Sequence, residues 1–167
     1  MFNRRQFLKT GIAGSALLAA GGAWFFLTHR DAEVDALFAV VGSAMLSGVL
    51  PERAPERTTA LARQVAGMHA TLAALSPNAQ AELAELFGLL TFAPTRFALT
   101  GVAGSWQAAT ADDAKQFLEH WRNASSGLVQ AAYSALHDIV FGTWYAAAEN
   151  WKAIGYAGPP TLAEAAP

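Results

Sequence analysis

The sequence contains no cysteine among its 167 residues. Disulfide bonds, thiolate metal sites, iron–sulfur clusters and covalently attached haem are therefore excluded. It is also short of positive charge beyond residue 30, where 7 Lys and Arg face 13 Asp and Glu, a formal charge of −6. Nucleic-acid binding depends on clustered Lys and Arg, so this balance argues against it. A basic patch for anionic lipid is missing for the same reason.

Motifs of common catalytic sites are also lacking. No two of the four histidines stand four residues apart, as a zinc-binding helix would require: His29, His69, His120 and His137. No serine has a Gly-x-Ser-x-Gly context, and Gly101–Gly104 is too short for a phosphate loop. We therefore predict no catalytic, cofactor-binding or metal-binding residue in this chain, and hence not an enzyme.

An enzyme that uses His120 or His137 is the alternative to that prediction. Each of these histidines has an acidic neighbour, Glu119 or Asp138. Adjacent residues point to different sides of a helix, so we expect neither pair to form a ready-made dyad. For each histidine, a surface position or a satisfied core position is the simpler interpretation.

Runs of Val, Ile and Thr, which favour strands, are scarce, whereas Ala and Leu, which favour helices, are abundant. Apolar residues at helical spacing predict five helices: Glu33–Val49, Pro55–Leu75, Pro77 up to the breaker Pro94, Thr110–Trp121 and Leu128–Trp144. We predict that Thr95–Gln107 is a loop, with Trp106 filling a gap. The sequence thus predicts one all-α domain, residues 31–167, after an N-terminal segment of residues 1–30.

The N-terminal segment begins with two adjacent arginines followed by an uncharged run. The layout Asn3-Arg4-Arg5-Gln6-Phe7-Leu8-Lys9 before Thr10–Thr28 resembles a twin-arginine (Tat) export signal. Its signal residues would be Arg4, Arg5, Phe7, Leu8 and Lys9, with Asn3 in place of the usual Ser or Thr. The Tat pathway carries proteins already folded, often with a cofactor or a partner subunit. The resemblance predicts export by the Tat translocase to the periplasm or cell envelope.

The fate of this segment has two interpretations. No Ala-x-Ala site precedes the polar cluster His29-Arg30-Asp31, so the sequence shows no clear signal-peptide cleavage site. The apolar run Gly11–Leu27 has 17 residues, at the low end of the roughly 17–25 that span a bilayer. Trp24 is of a type found at membrane interfaces. Residues 1–30 are therefore either a removed signal peptide or an uncleaved anchor in the inner membrane.

Aromatic residues crowd the C-terminal part of the chain, between Trp121 and Tyr156. Most of them are expected in the core of the last two helices. Trp and Tyr are also enriched at protein interfaces, and a Gly-x-x-Gly-Pro-Pro tail can hold an aromatic side chain in a fixed, exposed pose. We predict a partner interface that includes Trp121, Trp144, Tyr145, Trp151, Tyr156, Pro159 and Pro160.

These residues carry a family resemblance. The motif Trp-x-x-Ile-Gly-Tyr-x-Gly-Pro-Pro, Trp151 to Pro160, is its most specific part. Upstream stretches also contribute: Leu75-Ser76-Pro77, Leu86–Leu90, Trp121-Arg122 and Trp144-Tyr145. Together they resemble the small subunits of membrane-associated flavin dehydrogenases, of the gluconate 2-dehydrogenase and sorbitol dehydrogenase types. The resemblance covers most of residues 31–167, and a Tat leader belongs to it.

The resemblance implies an accessory role. In such complexes the large subunit is an FAD-dependent oxidoreductase of the glucose-methanol-choline type, often without an export signal. The small subunit supplies the Tat address and helps the flavoprotein to fold or stay soluble, and a multihaem cytochrome c commonly accepts the electrons. FAD is thus expected in the partner and no cofactor in this chain. The alternative, motivated by a hydrophobic content of 53%, is a free-standing periplasmic helical protein that binds a lipid or apolar ligand between its helices.

Overall fold

The computed structural model describes residues 23–158, and of residues 23–31 and 153 it describes the backbone alone. These residues form six α-helices and a final 3-10 helix: α1 Ala23–Met45, α2 Ala54–Ala73, α3 Pro77–Thr91, α4 Ala93–Thr100, α5 Ala111–Arg122, α6 Gly127–Ala146 and the 3-10 helix Ala148–Ile154. No strand occurs in this part of the chain, so the predicted all-α class is confirmed. Within residues 23–158, no helix combines the length and the hydrophobicity that a membrane crossing requires.

Two helix starts follow from local sequence, as predicted. Ser76 caps α3 by accepting the N–H of Ala79, and Pro77 occupies the first turn, where its missing N–H costs nothing. Thr110 begins α5 with a reciprocal capping box: its hydroxyl accepts the N–H of Asp113 at 3.2 Å. The Asp113 carboxylate accepts the Thr110 N–H at 2.8 Å and the Thr110 hydroxyl at 2.7 Å. These two bonds hold the pKa of Asp113 below its usual range.

The first helix begins earlier than its apolar pattern indicates. We predicted Glu33–Val49, whereas α1 begins at Ala23 and ends at Met45. A turn follows, in which the N–H groups of Val49 and Leu50 both bond to the carbonyl of Leu46. The buried face of the predicted helix is confirmed, because five of its apolar residues lie in the core: Val34, Leu37, Phe38, Val41 and Leu46. The helix runs without a break across the predicted boundary at residue 30, while residues 1–22 lie outside the described residues.

The prediction of a loop over Thr95–Gln107 was wrong in its first half. Phe92 is extended and Pro94 lies in the first turn of a new helix, so this proline starts α4 after α3 has ended. Gly101 ends α4 in the left-handed region, at φ 76°. The expectation for Trp106 is confirmed: its side chain is fully buried and its indole N–H donates to the carbonyl of Leu90 at 2.7 Å.

The core lies around α1, which packs against α2, α3, α5 and α6. Aromatic rings meet there edge to face, an arrangement favoured by their quadrupoles. The pairs are Phe38 with Phe87 at 5.1 Å, Trp106 with Phe117 at 5.7 Å, and Phe117 with Trp121 at 5.4 Å between ring centroids. The buried pair Arg96–Glu33, 3.2 Å from Nη1 to Oε2, ties α4 to α1. Their side chains are 6% and 20% exposed.

The approach of α2 to α6 is close because α2 has a glycine at the contact. A Cβ on Gly67 would lie 2.6 Å from Cγ2 of Thr143, below any normal contact distance. Polar groups beside this point are paired, as burial requires. The buried Gln64 amide donates to the carbonyl of Val140 at 2.8 Å, and the hydroxyls of Thr71 and Thr143 bond at 3.0 Å.

Candidate partner interface

The C-terminal motif folds into a compact turn at the end of α6. The 3-10 helix stops at Gly155, which adopts the left-handed conformation at φ 71°. The N–H of Tyr156 then bonds back to the carbonyl of Trp151 at 3.0 Å. This reversal brings the two rings together edge to face, with centroids 5.3 Å apart. Glycine is needed at position 155 because other residues rarely adopt this conformation.

The Trp151 side chain fixes the motif on the last turn of α6. Its indole N–H donates to the carbonyl of Tyr145 at 2.7 Å. On its ring lies Gly158, which has φ 102° and whose added Cβ would come within 3.1 Å of the indole Cζ3. Position 158 therefore requires glycine for both its backbone conformation and its close approach. The Asn150 amide adds a bond to the carbonyl of Trp144 at 2.8 Å.

The last turn of α6 and the motif present large apolar side chains to solvent. Tyr145, Ile154 and Tyr156 are 37%, 45% and 48% exposed, and Trp151 is half-buried. The structure thus holds Tyr156 in a defined and exposed position. Pro159 and Pro160, also part of the predicted interface, lie outside the described residues.

Two tryptophans of the predicted interface lie inside the helical core. Trp121 and Trp144 are each 3% exposed, so they offer almost no surface to a partner. The Trp121 indole donates to the carbonyl of Leu99 at 2.8 Å. The Trp144 indole N–H is buried without a hydrogen-bond partner among the described residues, an arrangement that costs stability. Tyr145, Trp151 and Tyr156 are therefore the accessible members of the predicted set.

Two histidines, His69 and His137, lie partly exposed and each contacts an Asp carboxylate. His137 Nδ1 is 3.1 Å from Oδ1 of Asp138, so our expectation that these neighbours point apart was wrong. A second pair joins α2 to α1: His69 Nε2 is 2.6 Å from Oδ1 of Asp35. It was missed because 34 residues separate the partners. Among residues 32–158, the metal-ligand side chains form no group of three or more.

A groove opens where the end of α1 meets α5 and α6. Its volume is about 280 Å³. Its lining includes Tyr133, His137 and Phe141 from α6, and Lys115 and Arg122 from α5. Met45 and Leu118 are also among its lining residues. A second, shallow groove between α1 and α2 is lined by small side chains beside the His69–Asp35 pair.

Comparison with known families gives one match. The TAT (twin-arginine translocation) pathway signal sequence matches residues 1–21, which confirms the twin-arginine prediction. The chain therefore carries an address for the Tat translocase, which exports proteins to the periplasm or envelope. No curated protein and no solved structure gives a significant match.

Proposed function

We propose that this chain is the non-catalytic, Tat-signal-bearing small subunit of an envelope dehydrogenase. Its partner would be an FAD-dependent oxidoreductase of the glucose-methanol-choline type, whose export, maturation and stability it aids. FAD and the substrate site belong to that large subunit, and a cytochrome c subunit is the expected electron acceptor. An uncleaved leader would hold the complex at the inner membrane.

The observation that supports this proposal best is the construction of the Trp151–Gly158 segment. Single exposed apolar residues are common on protein surfaces and need no partner to explain them. Here the exposed Tyr156 is fixed by a positive-φ glycine, a backbone bond and the Trp151 ring. A side chain that is already ordered loses little entropy on binding, which is typical of aromatic anchors at interfaces.

The Tat signal supports the same proposal from the other end of the chain. A signal on one subunit exports a second protein only if the two associate before transport. The Tat route accepts folded cargo, so a complex formed in the cytoplasm could cross intact. A small helical subunit with an exposed aromatic anchor and a Tat address could bind its partner in the cytoplasm and then direct export of the complex.

The direct test is export of the flavoprotein in trans. The full-length chain, with Arg4→Lys/Arg5→Lys in its signal, would be co-expressed with the glucose-methanol-choline-type flavoprotein from the same source. The flavoprotein is expected to accumulate in the cytoplasm and to disappear from the periplasmic fraction. Arg53→Lys/Arg57→Lys, outside the signal, is the matched control and should leave export unchanged. If the signal variant left export of the flavoprotein undiminished, the proposal would be wrong.

Purification from envelope fractions separates the proposal from its alternative. A yellow eluate with a flavoprotein in roughly stoichiometric amount would support the small-subunit role. A colourless, solitary protein that releases a lipid or apolar molecule on extraction would favour the free-standing binding protein.

A further inference from the structure

One side of α6 carries a continuous series of aromatic rings. Tyr133, His137, Phe141 and Tyr145 follow at intervals of four residues, which places them along one stripe of the helix. Successive ring centroids are 6.0, 4.6 and 5.9 Å apart. All four side chains keep contact with solvent, and Tyr145 is 37% exposed.

The C-terminal motif is attached at the end of this series. Trp151 bonds to the backbone of Tyr145 and stacks edge to face on Tyr156. We call this surface the aromatic face and define it by its six rings: Tyr133, His137, Phe141, Tyr145, Trp151 and Tyr156. Its helical part alone, from Tyr133 to Tyr145, extends about 18 Å at 1.5 Å per residue. A stripe of this length can contribute a substantial part of a protein–protein contact.

Within residues 32–158, the arginines around the aromatic face are paired with oxygen acceptors, whereas the lysines are not in ion pairs. Two carboxylates close to it in sequence or space are already paired with arginines, Arg122–Glu119 at 2.7 Å and Arg63–Glu149 at 3.5 Å, and the Asp138 carboxylate is 3.1 Å from Nδ1 of His137. All five arginines of residues 32–158 lie within 3.6 Å of an oxygen acceptor. The two lysines of this range, Lys115 and Lys152, have no ion pair among the described residues.

Both unpaired lysines stand beside the aromatic face, Lys115 along its helical part and Lys152 in its C-terminal part. Lys115 lines the groove together with Tyr133, His137 and Phe141. Lys152 directly follows Trp151 and is exposed. Two isolated lysines are too few to direct binding to anionic lipid, which depends on clusters of basic residues. They do suit a protein surface that places a carboxylate opposite each of them, because complementary charges fix the register of an interface.

We propose that the aromatic face, with Lys115 and Lys152 beside it, is the surface on which the large flavoprotein subunit docks. The partner surface that fits is apolar where it meets the rings and carries an Asp or Glu carboxylate opposite each of the two lysines. This inference rests on the proposed function and adds to it the location and the chemistry of the contact.

Carbodiimide cross-linking of the full-length complex tests the carboxylates directly, since this reagent joins an amine to a carboxylate in contact with it. Mass spectrometry is expected to find Lys115 and Lys152 each joined to an Asp or Glu of the flavoprotein. A complex that forms but yields no cross-link from either lysine would overturn the inference.

Substitutions test the same surface by affinity. The charge reversal Lys115→Glu/Lys152→Glu is expected to weaken binding of the flavoprotein roughly tenfold or more, and less at high salt because salt screens exposed charges. Tyr145→Asp should weaken binding at every salt concentration. Arg53→Glu/Arg57→Glu, a double reversal of equal charge at the start of α2, is the matched control and should bind like the wild type. Circular dichroism would verify that each variant is folded.

The outcomes separate the two proposals. If the wild type binds the flavoprotein and both interface variants bind it equally well, the docking surface is wrong while the proposed function stands. If the wild type binds no flavoprotein, both fail. A homodimer of the wild type that Tyr145→Asp dissociates would assign the face to a second copy and overturn the inference, as would binding to anionic vesicles that the lysine reversal abolishes.

Discussion

Both sides of α6 carry bulky side chains, but one side is buried and the other is partly exposed. One side is buried and consists of Leu136, Ile139, Val140, Thr143 and Trp144. The other carries the partly exposed rings of Tyr133, His137, Phe141 and Tyr145. Trp144 and Tyr145 are neighbours in sequence, yet they are 3% and 37% exposed.

The comparison teaches that helical register, rather than residue type, separates core from surface in this segment. On the buried side, α2 lies close and the buried Gln64 amide and the Thr143 hydroxyl are hydrogen-bonded. On the exposed side, the ring contacts run mainly along the stripe itself. A buried stripe holds the bundle together, whereas the exposed stripe is available to something outside it.

The largest effect is expected from truncating the two neighbours separately. Trp144→Ala should lower the free energy of unfolding by about 3–5 kcal/mol, because it removes a buried aromatic and leaves a cavity. Tyr145→Ala should change it by about 0.5 kcal/mol, as is usual at a surface position. Urea unfolding of both variants measures the difference. Equal losses would mean that the exposed side is as much a part of the core as the buried one.

The Glu33–Arg96 pair offers a contrast between buried and exposed ion pairs. Glu33→Gln should cost about 3 kcal/mol, because it leaves the buried guanidinium without its countercharge. We place the value low in the known range because Glu33 keeps a fifth of its surface in water. Glu149→Gln is the control: its pair with Arg63 is more than half exposed and should contribute at most about 1 kcal/mol. Thermal and urea unfolding would report both losses, and similar values would contradict the contrast.

Two glycines give the next test: Gly67 lies in the contact between α2 and α6, and Gly142 lies on α6 outside this contact. Gly67→Ala should destabilise the protein by about 1–3 kcal/mol, because its new methyl group would overlap Thr143. Gly142→Ala on α6 meets no atom within 4 Å and should stabilise it by about 0.5–1 kcal/mol.

Thr143→Ser provides the rescue for Gly67→Ala. It deletes the clashing Cγ2 and keeps the hydroxyl that bonds to Thr71. The double variant should therefore recover most of the loss in urea unfolding. A double variant no more stable than Gly67→Ala alone would show that the overlap is not the cause.

The sequence predicted best where the signal was local. The caps at Ser76 and Thr110 and the buried side of α6 follow from residues a few positions apart, and the structure has them. Pro94 was interpreted as an end alone, although the same residue type favours a helix's first turn. Leu128, the first residue of the predicted last helix, shows a similar limit, because it is apolar and yet 57% exposed.

Contacts between distant segments had no local signal. Glu33 and Arg96 are 63 residues apart, and Asp35 and His69 are 34 apart. Periodicity placed Trp144 on a buried stripe, but the interface prediction grouped it with Tyr145 because both are large aromatics. The correct separation depends on where α2 packs, which only the tertiary arrangement specifies.

The smallest effect is expected on the exposed side of the bundle, at the start of α5. Folding lowers the pKa of Asp113 through its bonds from Thr110, so the charged carboxylate is favoured in the folded state. That contribution is complete above the unfolded pKa of about 3.9 and is lost as the pH falls through the lower folded pKa. Asp113→Asn should therefore lower Tm slightly at neutral pH and not at strongly acidic pH. Asp112→Asn, which removes an equal charge from the same turn, is the control, because Asp112 has no bond to Thr110. If both variants followed the same pH course, the helix dipole rather than the capping box would explain the effect.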